Sequence, residues 1–111
     1  MGNTNYFFGI IKVLENPKKI FLNDKISMIK FRGEISQKGK NKIITLTFWG
    51  NLGSSAKIYC HINDYILIEG YISVQNKQNL RLKTKNSKEI IVTVLKFYPF
   101  LLESNQVINK V

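Results

Sequence analysis

Apolar and polar residues alternate with period two along most of this chain, in runs of strand length separated by clusters of Asn, Gly, Ser and Asp. A first strand is expected over Tyr6–Glu15, ending at Asn16-Pro17 because proline lacks the N–H that a central ladder needs. A second fits Ile26–Ser36, where Ile26, Met28, Lys30, Arg32 and Glu34 alternate with Ser27, Ile29, Phe31, Gly33 and Ile35. After the turn QKGKN, a third covers Lys42–Trp49. The period then changes: Leu52, Ala56, Tyr59 and Cys60 fall on one face of a short helix, which Asn63-Asp64 closes. A fourth strand, Tyr65–Gln75, places Ile66, Ile68 and Ile72 on one side. The polar, basic connection NKQNLRLKTKNSK leads to a fifth, Glu89–Phe97, stopped by Pro99.

Strand, strand, strand, short helix, strand, strand is the order of the OB-fold. This all-β, five-stranded Greek-key barrel carries a helix between strands 3 and 4 and binds oligonucleotides or oligosaccharides over its second and third strands. A five-stranded SH3-type barrel competes, and the helix position favours the OB-fold. With 111 residues the chain has room for one core. Residues 1–100 are expected to form the OB-fold domain and 101–111 a short C-terminal tail. Apolar runs such as Ile90 to Leu95 are far too short to span a bilayer, and MGNTNYFFGII has neither the charged start nor the long apolar stretch of a signal peptide. A soluble protein with no membrane partner is expected.

Charge adds the first hint of function. Seventeen Lys and Arg against seven Asp and Glu give a net +10, which points to a polyanionic partner, most commonly nucleic acid. Fifteen of the seventeen are Lys in a chain also rich in Ile and Asn, so compositional bias accounts for part of the count. Placement is harder to explain that way. Lys38, Lys40 and Lys42 crowd the turn between the second and third strands. Lys77, Arg81, Lys83, Lys85 and Lys88 occupy the connection between the fourth and fifth, with no acidic residue between Gln75 and Lys88. Binding a single strand without sequence preference takes cations for phosphates and flat rings for bases. Alternation puts Trp49 with Ile43, Thr45 and Thr47, opposite the apolar set Ile44, Leu46 and Phe48, so its ring is expected to face outward with the threonines. The other reading is a tryptophan capping the barrel end. Phe31 and Tyr71 are further aromatic candidates whose core role is the simpler one.

Catalysis is set aside. The single His, His61, adjoins the single Cys, Cys60, at a helix end; Asp24, Asp64 and Glu69 are isolated, and no glycine-rich phosphate loop is present. No catalytic residues, no metal site and no cofactor are expected, and one cysteine fits a reducing compartment. The first strand is apolar on both faces, with Tyr6, Phe8 and Ile10 alternating with Phe7, Gly9 and Ile11. Self-association through it is expected, an edge covered by the N-terminal tail being the alternative.

The stretch FWGNLGSSAKIYCHINDYILIEGYI resembles the segment of bacterial and organellar single-stranded-DNA-binding proteins in which an aromatic-Gly pair ends a strand, a helix follows and "VEG" closes the next strand. Phe48, Trp49, Gly50, Leu52, Tyr59, Asp64, Glu69 and Gly70 carry the match. GIIKVLENPK resembles that family's opening "G.L..DPE", and Ile29-Lys30-Phe31 its "ARF" strand. The small size and the Ile, Asn and Lys bias are most similar to the short version encoded in algal plastid genomes. The resemblance implies an OB-fold homo-oligomer, dimer or tetramer, that binds single-stranded DNA in organellar replication or repair, in the plastid stroma, with Trp49 at a base-stacking position. Ile43 and Lys77 stand where bacterial members carry further stacking tryptophans, and the chain ends ESNQVINKV rather than in an acidic recruiting tail. In these respects it is closer to the family's small primosomal relative. The expected nucleic-acid-binding residues are Trp49, Lys38, Lys40, Lys42, Lys77, Arg81, Lys83 and Lys85. The alternative is an OB-fold adaptor of a replication or primosome complex that binds protein or RNA partners.

Overall fold

All five alternating runs form strands, and a sixth strand joins them. A computed structural model describes residues 5–37, 39–78 and 86–100. The strands are β1 (Tyr6–Val13), β2 (Lys18–Phe21), β3 (Ser27–Gln37), β4 (Lys40–Trp49), β5 (Tyr65–Gln78) and β6 (Asn86–Pro99), with α1 (Asn51–Tyr59) between β4 and β5. The sheet order is β1-β5-β6-β4-β3-β2. β1 also pairs with β3 at Lys12↔Glu34 and Val13↔Gly33, which closes five strands into a barrel. β4 and β6 run parallel from Thr45↔Ile91 to Thr47↔Thr93, and every other pairing is antiparallel. This is an OB-fold with one added ribbon, so the expected count of five strands is one short. β2 is four residues long and pairs only with β3, from Lys18↔Lys30 to Phe21↔Ser27.

Alternation drives the packing as period two requires. Ile11, Val13, Ile29, Phe31, Ile44, Leu46, Phe48, Ile66, Ile68, Val92 and Val94 form a buried core, joined from the helix side by Ala56 and Cys60. Phe31 stacks on Phe48 at 5.3 Å between centroids, and Phe97 meets Phe48 edge-on at 5.4 Å. Phe31 is therefore a core ring and not a base platform. On α1 the inward face is Gly53, Ala56 and Cys60 with Leu52 beside them, while Tyr59, expected inside, is exposed. Gly50, at φ 62, takes the left-handed turn that joins β4 to the helix, a conformation other L-residues rarely adopt.

Two hairpins extend past the barrel. β5 and β6 remain paired out to Gln78↔Asn86, so much of the polar connection expected as loop is a two-stranded ribbon. Closer to the barrel, a bulge between Glu69 and Gly70 shifts the β5–β6 register. There a Cβ on Gly70 would lie 2.2 Å from the Thr93 carbonyl oxygen.

The outer side of β1 stays apolar, as the first-strand pattern implies: Tyr6, Phe8 and Ile10 are each at least half exposed. Tyr65, Tyr71, Leu95 and Tyr98 on β5 and β6 add exposed apolar surface. Beyond residue 12 toward the N-terminus, β1 pairs with β5 alone, so its other edge carries no ladder partner among the described residues.

Candidate nucleic-acid interface

The outer face of β3 and β4 is built by the residues that alternate against the core. Across the ladder, Met28 faces Trp49, Lys30 faces Thr47, Arg32 faces Thr45 and Glu34 faces Ile43. β2 widens this face, placing Lys18 beside Lys30 and Ile20 beside Met28. Trp49, the last residue of β4, is 41% exposed and Ile43 is 53% exposed. Between them Thr45 and Thr47 are buried, at 4% and 5%, although they lie on the outward side. Their short side chains sit between Lys30 and Arg32 on one flank and Ile91 and Thr93 on the other. Their hydroxyls are also committed: Thr45 Oγ1 donates to Glu89 Oε2 at 2.8 Å, and Thr47 Oγ1 donates to the Val92 carbonyl at 3.5 Å. The face is thus a trough with a threonine floor and a raised indole at one end.

Charge along the trough is uneven. Arg32 is matched by Glu15, whose Oε1 lies 3.2 Å from Nη2 and whose Oε2 accepts from the Arg32 backbone N–H at 2.9 Å. Burial pushes the Glu15 carboxyl up, and the hydrogen bonds and charge of Arg32 outweigh it, holding the group below the usual carboxylate range. Lys18 and Lys30 have no such partner among the described residues, where the ion pairs are Arg32 with Glu15 and His61 with Asp64.

The expected site residues do not all meet. Lys40 and Lys42 are exposed at the β3–β4 hairpin, but they share the parity of Ile44, Leu46 and Phe48 and so point to the side opposite Trp49. Seven residues separate Lys42 from Trp49, ~23 Å at ~3.3 Å per residue. Because β4 and β6 are parallel, the β3–β4 and β5–β6 hairpins leave the barrel at the same end, and Trp49 stands at the other. Lys77 lies on the β5 ribbon arm opposite Ser87. Lys38, Arg81, Lys83 and Lys85 lie outside the described residues. On the Trp49 side of the sheet the ladder places Lys30 and Lys18, while Lys19 and Lys57 line a cleft that includes Gly50. Alternation against Ile29 and Phe31 marks Lys30 as outward; Lys18 and Lys19 become visible only once β2 is recognised. Tyr71 is exposed on β5, edge-on to Tyr6 at 6.4 Å, two strands away from β4.

Burial, with a smaller contribution from Asp64, pushes the Cys60 thiol up to about 12. His61 Nδ1 lies 3.4 Å from Asp64 on an open surface. Among the described residues no cluster of three or more His, Cys, Asp or Glu is placed to hold a metal, and no helix is long and apolar enough to cross a membrane.

The closed five-stranded barrel with its helix between β4 and β5 is an OB-fold, and solved structures share it. The chain superimposes on the small single-stranded DNA-binding protein of Streptomyces coelicolor with a TM-score of 0.76 at 12% identity, covering 90% of this chain and 97% of that one. For the SSB domain of a Synechococcus sp. protein the values are 0.67 and 17%, covering 88% and 98%. The second single-stranded DNA-binding protein of Mycobacterium smegmatis, SSBb, gives 0.65 and 18%, covering 87% and 89%. No protein-family model matches the chain. It is 40% identical over 106 residues to the "Putative single-stranded DNA-binding protein ycf41" of Trieres chinensis, covering 92% of this chain and 94% of that protein. The chain belongs to the single-stranded-DNA-binding protein family, in the small ycf41 version.

Proposed function

We propose that this protein binds single-stranded DNA, largely without sequence preference, along the outer face of β3 and β4. The observation that carries the reading is Trp49: a half-exposed indole at the end of a basic, threonine-floored trough, in a chain related to a protein named for single-stranded DNA binding. Lysines neutralise phosphates and the indole stacks on a base. An OB-fold takes roughly 4–16 nucleotides, so one strand can run from Trp49 to the basic hairpins ~23 Å away. In this reading Lys40, Lys42, Lys77 and the basic residues 38, 81, 83 and 85 engage the part of the strand furthest from the indole. The kinship with ycf41 supports a place in the plastid stroma, serving organellar DNA replication or repair. The exposed apolar face of β1, β5 and β6, with a β1 edge that has no ladder partner among the described residues, supports a homo-oligomer.

Oligo-dT titration followed by tryptophan fluorescence at several salt concentrations tests the binding. Quenching is expected, and with about five phosphates neutralised the slope of log affinity against log salt is ~ −3.5. No quenching and no salt dependence would refute it. Competition between oligo-rU and oligo-dT then separates RNA from DNA.

A further inference from the structure

Between β2, the start of β3 and α1 lies a cleft of about 90 Å³, lined by Lys19, Ser27, Met28, Gly50, Ser54 and Lys57 among others. Since ~10–15 Å³ of such space holds one water, the cleft has room for a tetrahedral oxyanion. Its two lysines come from opposite walls. Lys19 pairs with Ile29 and Phe21 with Ser27, so both β2 side chains lie on the ribbon side that faces α1, where Lys19 Nζ sits 5.3 Å from the Phe21 ring centroid. Lys57 belongs to the last turn of α1. Hydroxyls of Ser27 and Ser54 line the space between. No carboxylate lines the cleft, the first turn of α1 carries no acid, and neither lysine is ion-paired among the described residues. Both lysines are exposed and line the same small cleft, and an anion between them would offset the repulsion of their like charges. The location is equally telling, because Met28 is the cross-strand partner of Trp49 and Gly50 follows Trp49 in the chain.

We propose that this cleft is a phosphate subsite, in which Lys19 and Lys57 close from opposite walls on one phosphate of the strand whose base stacks on Trp49. It rests on the binding reading above and gives that reading a second anchor at the indole end, away from Lys40 and Lys42 at the start of β4. An internal phosphodiester and a terminal phosphate share the chemistry. The terminal group carries nearly twice the charge at pH 7 and would be held more tightly.

The test is oligo-dT titration across salt with Lys19→Ala, Lys57→Ala and the double variant, and with Trp49→Ala as the reference for lost stacking. Each single variant should weaken binding and reduce the salt slope by ~0.7, the value of one contact on a single strand. The double variant should lose no more than either single one, because both lysines act on the same phosphate; Trp49→Ala should leave the slope unchanged. Unchanged slopes in the single variants, with Trp49→Ala still weakening binding, would overturn the subsite and leave the binding reading standing. Additive losses near ~1.4 would also overturn it, by assigning two separate phosphates. If the unaltered protein binds no oligo-dT, the binding reading falls and inorganic phosphate decides the cleft. Saturable amide shifts at Gly50, Gly53 and Ser54, absent in the double variant, uphold it, and no shifts overturn it. Once the slope effect is established, 5′-phosphorylated oligo-dT binding more tightly than its 5′-hydroxyl form assigns a terminal phosphate. Equal affinity assigns an internal one.

Discussion

Trp49 does little for the barrel and much for the trough. Its ring is 41% exposed and lies outside the buried core, so truncation leaves the packing of Phe31, Phe48 and Phe97 intact. Trp49→Ala is expected to cost ~1–3 kcal/mol of oligonucleotide affinity, about 5- to 150-fold, with the salt slope preserved because no phosphate contact is lost. Anisotropy of a labelled oligo-dT measures this without needing the indole as reporter. The Arg32–Glu15 pair makes the opposite kind of contribution, to stability. Because the folded-state pKa of Glu15 is depressed, its stabilisation is fully present above the unfolded value, ~4.3, and is lost as pH falls through the folded value. Glu15→Gln should therefore destabilise the protein at pH 7, by no more than ~1 kcal/mol for so exposed a pair. Urea unfolding should show the gap between variant and parent narrowing at pH 3.

At the scale of elements, the core strands were legible because burial on one side enforces alternation, as Ile29 and Phe31 or Ile66 and Ile68 display. What escaped the sequence depends on partners distant in the chain. β2 is a strand only because β3 offers it an edge; Lys18–Phe21 has too few apolar positions to announce itself. Thr45 and Thr47 look like surface residues by composition and are buried between paired strands, beside Arg32 and Lys30 on β3 and Ile91 and Thr93 on β6. The candidate site was legible at Trp49. It was not legible at Lys18, Lys19 and Lys57, since gathering basic residues by loop overlooked that both basic hairpins leave the barrel at the end away from the indole. Glu69-Gly70, by contrast, was marked by its motif, and the structure supplies a physical reason. Gly70→Ala places a Cβ 2.2 Å from the Thr93 carbonyl oxygen, a rigid neighbour, at the bulge that curves β5 against β6. A loss of ~1–3 kcal/mol or more, read from thermal unfolding, is expected.

For the whole molecule, the proposed assembly and the proposed DNA binding are expected to respond to salt in opposite directions. Each copy carries a net +10, so a second copy is repelled at long range, and short-range contacts must offset that repulsion. The face formed by Tyr6, Phe8, Ile10, Tyr65, Tyr71, Leu95 and Tyr98 exposes large apolar side chains around the Glu69–Lys96 pair, and the edge of β1 beside it, without a ladder partner among the described residues, can extend the sheet into a copy of itself. A two-fold contact through this face presents the same residues from both partners, so a single charged substitution acts twice. Ile10→Lys, at a side chain 50% exposed and outside the core, should shift the light-scattering mass from oligomer to monomer without lowering the unfolding temperature of the barrel by more than a few degrees. Raising salt screens the like charges, so the mass of the unaltered protein should hold or grow while its oligo-dT affinity falls. A mass that drops with salt in step with affinity would mean that charge, and not the β1 face, joins the copies.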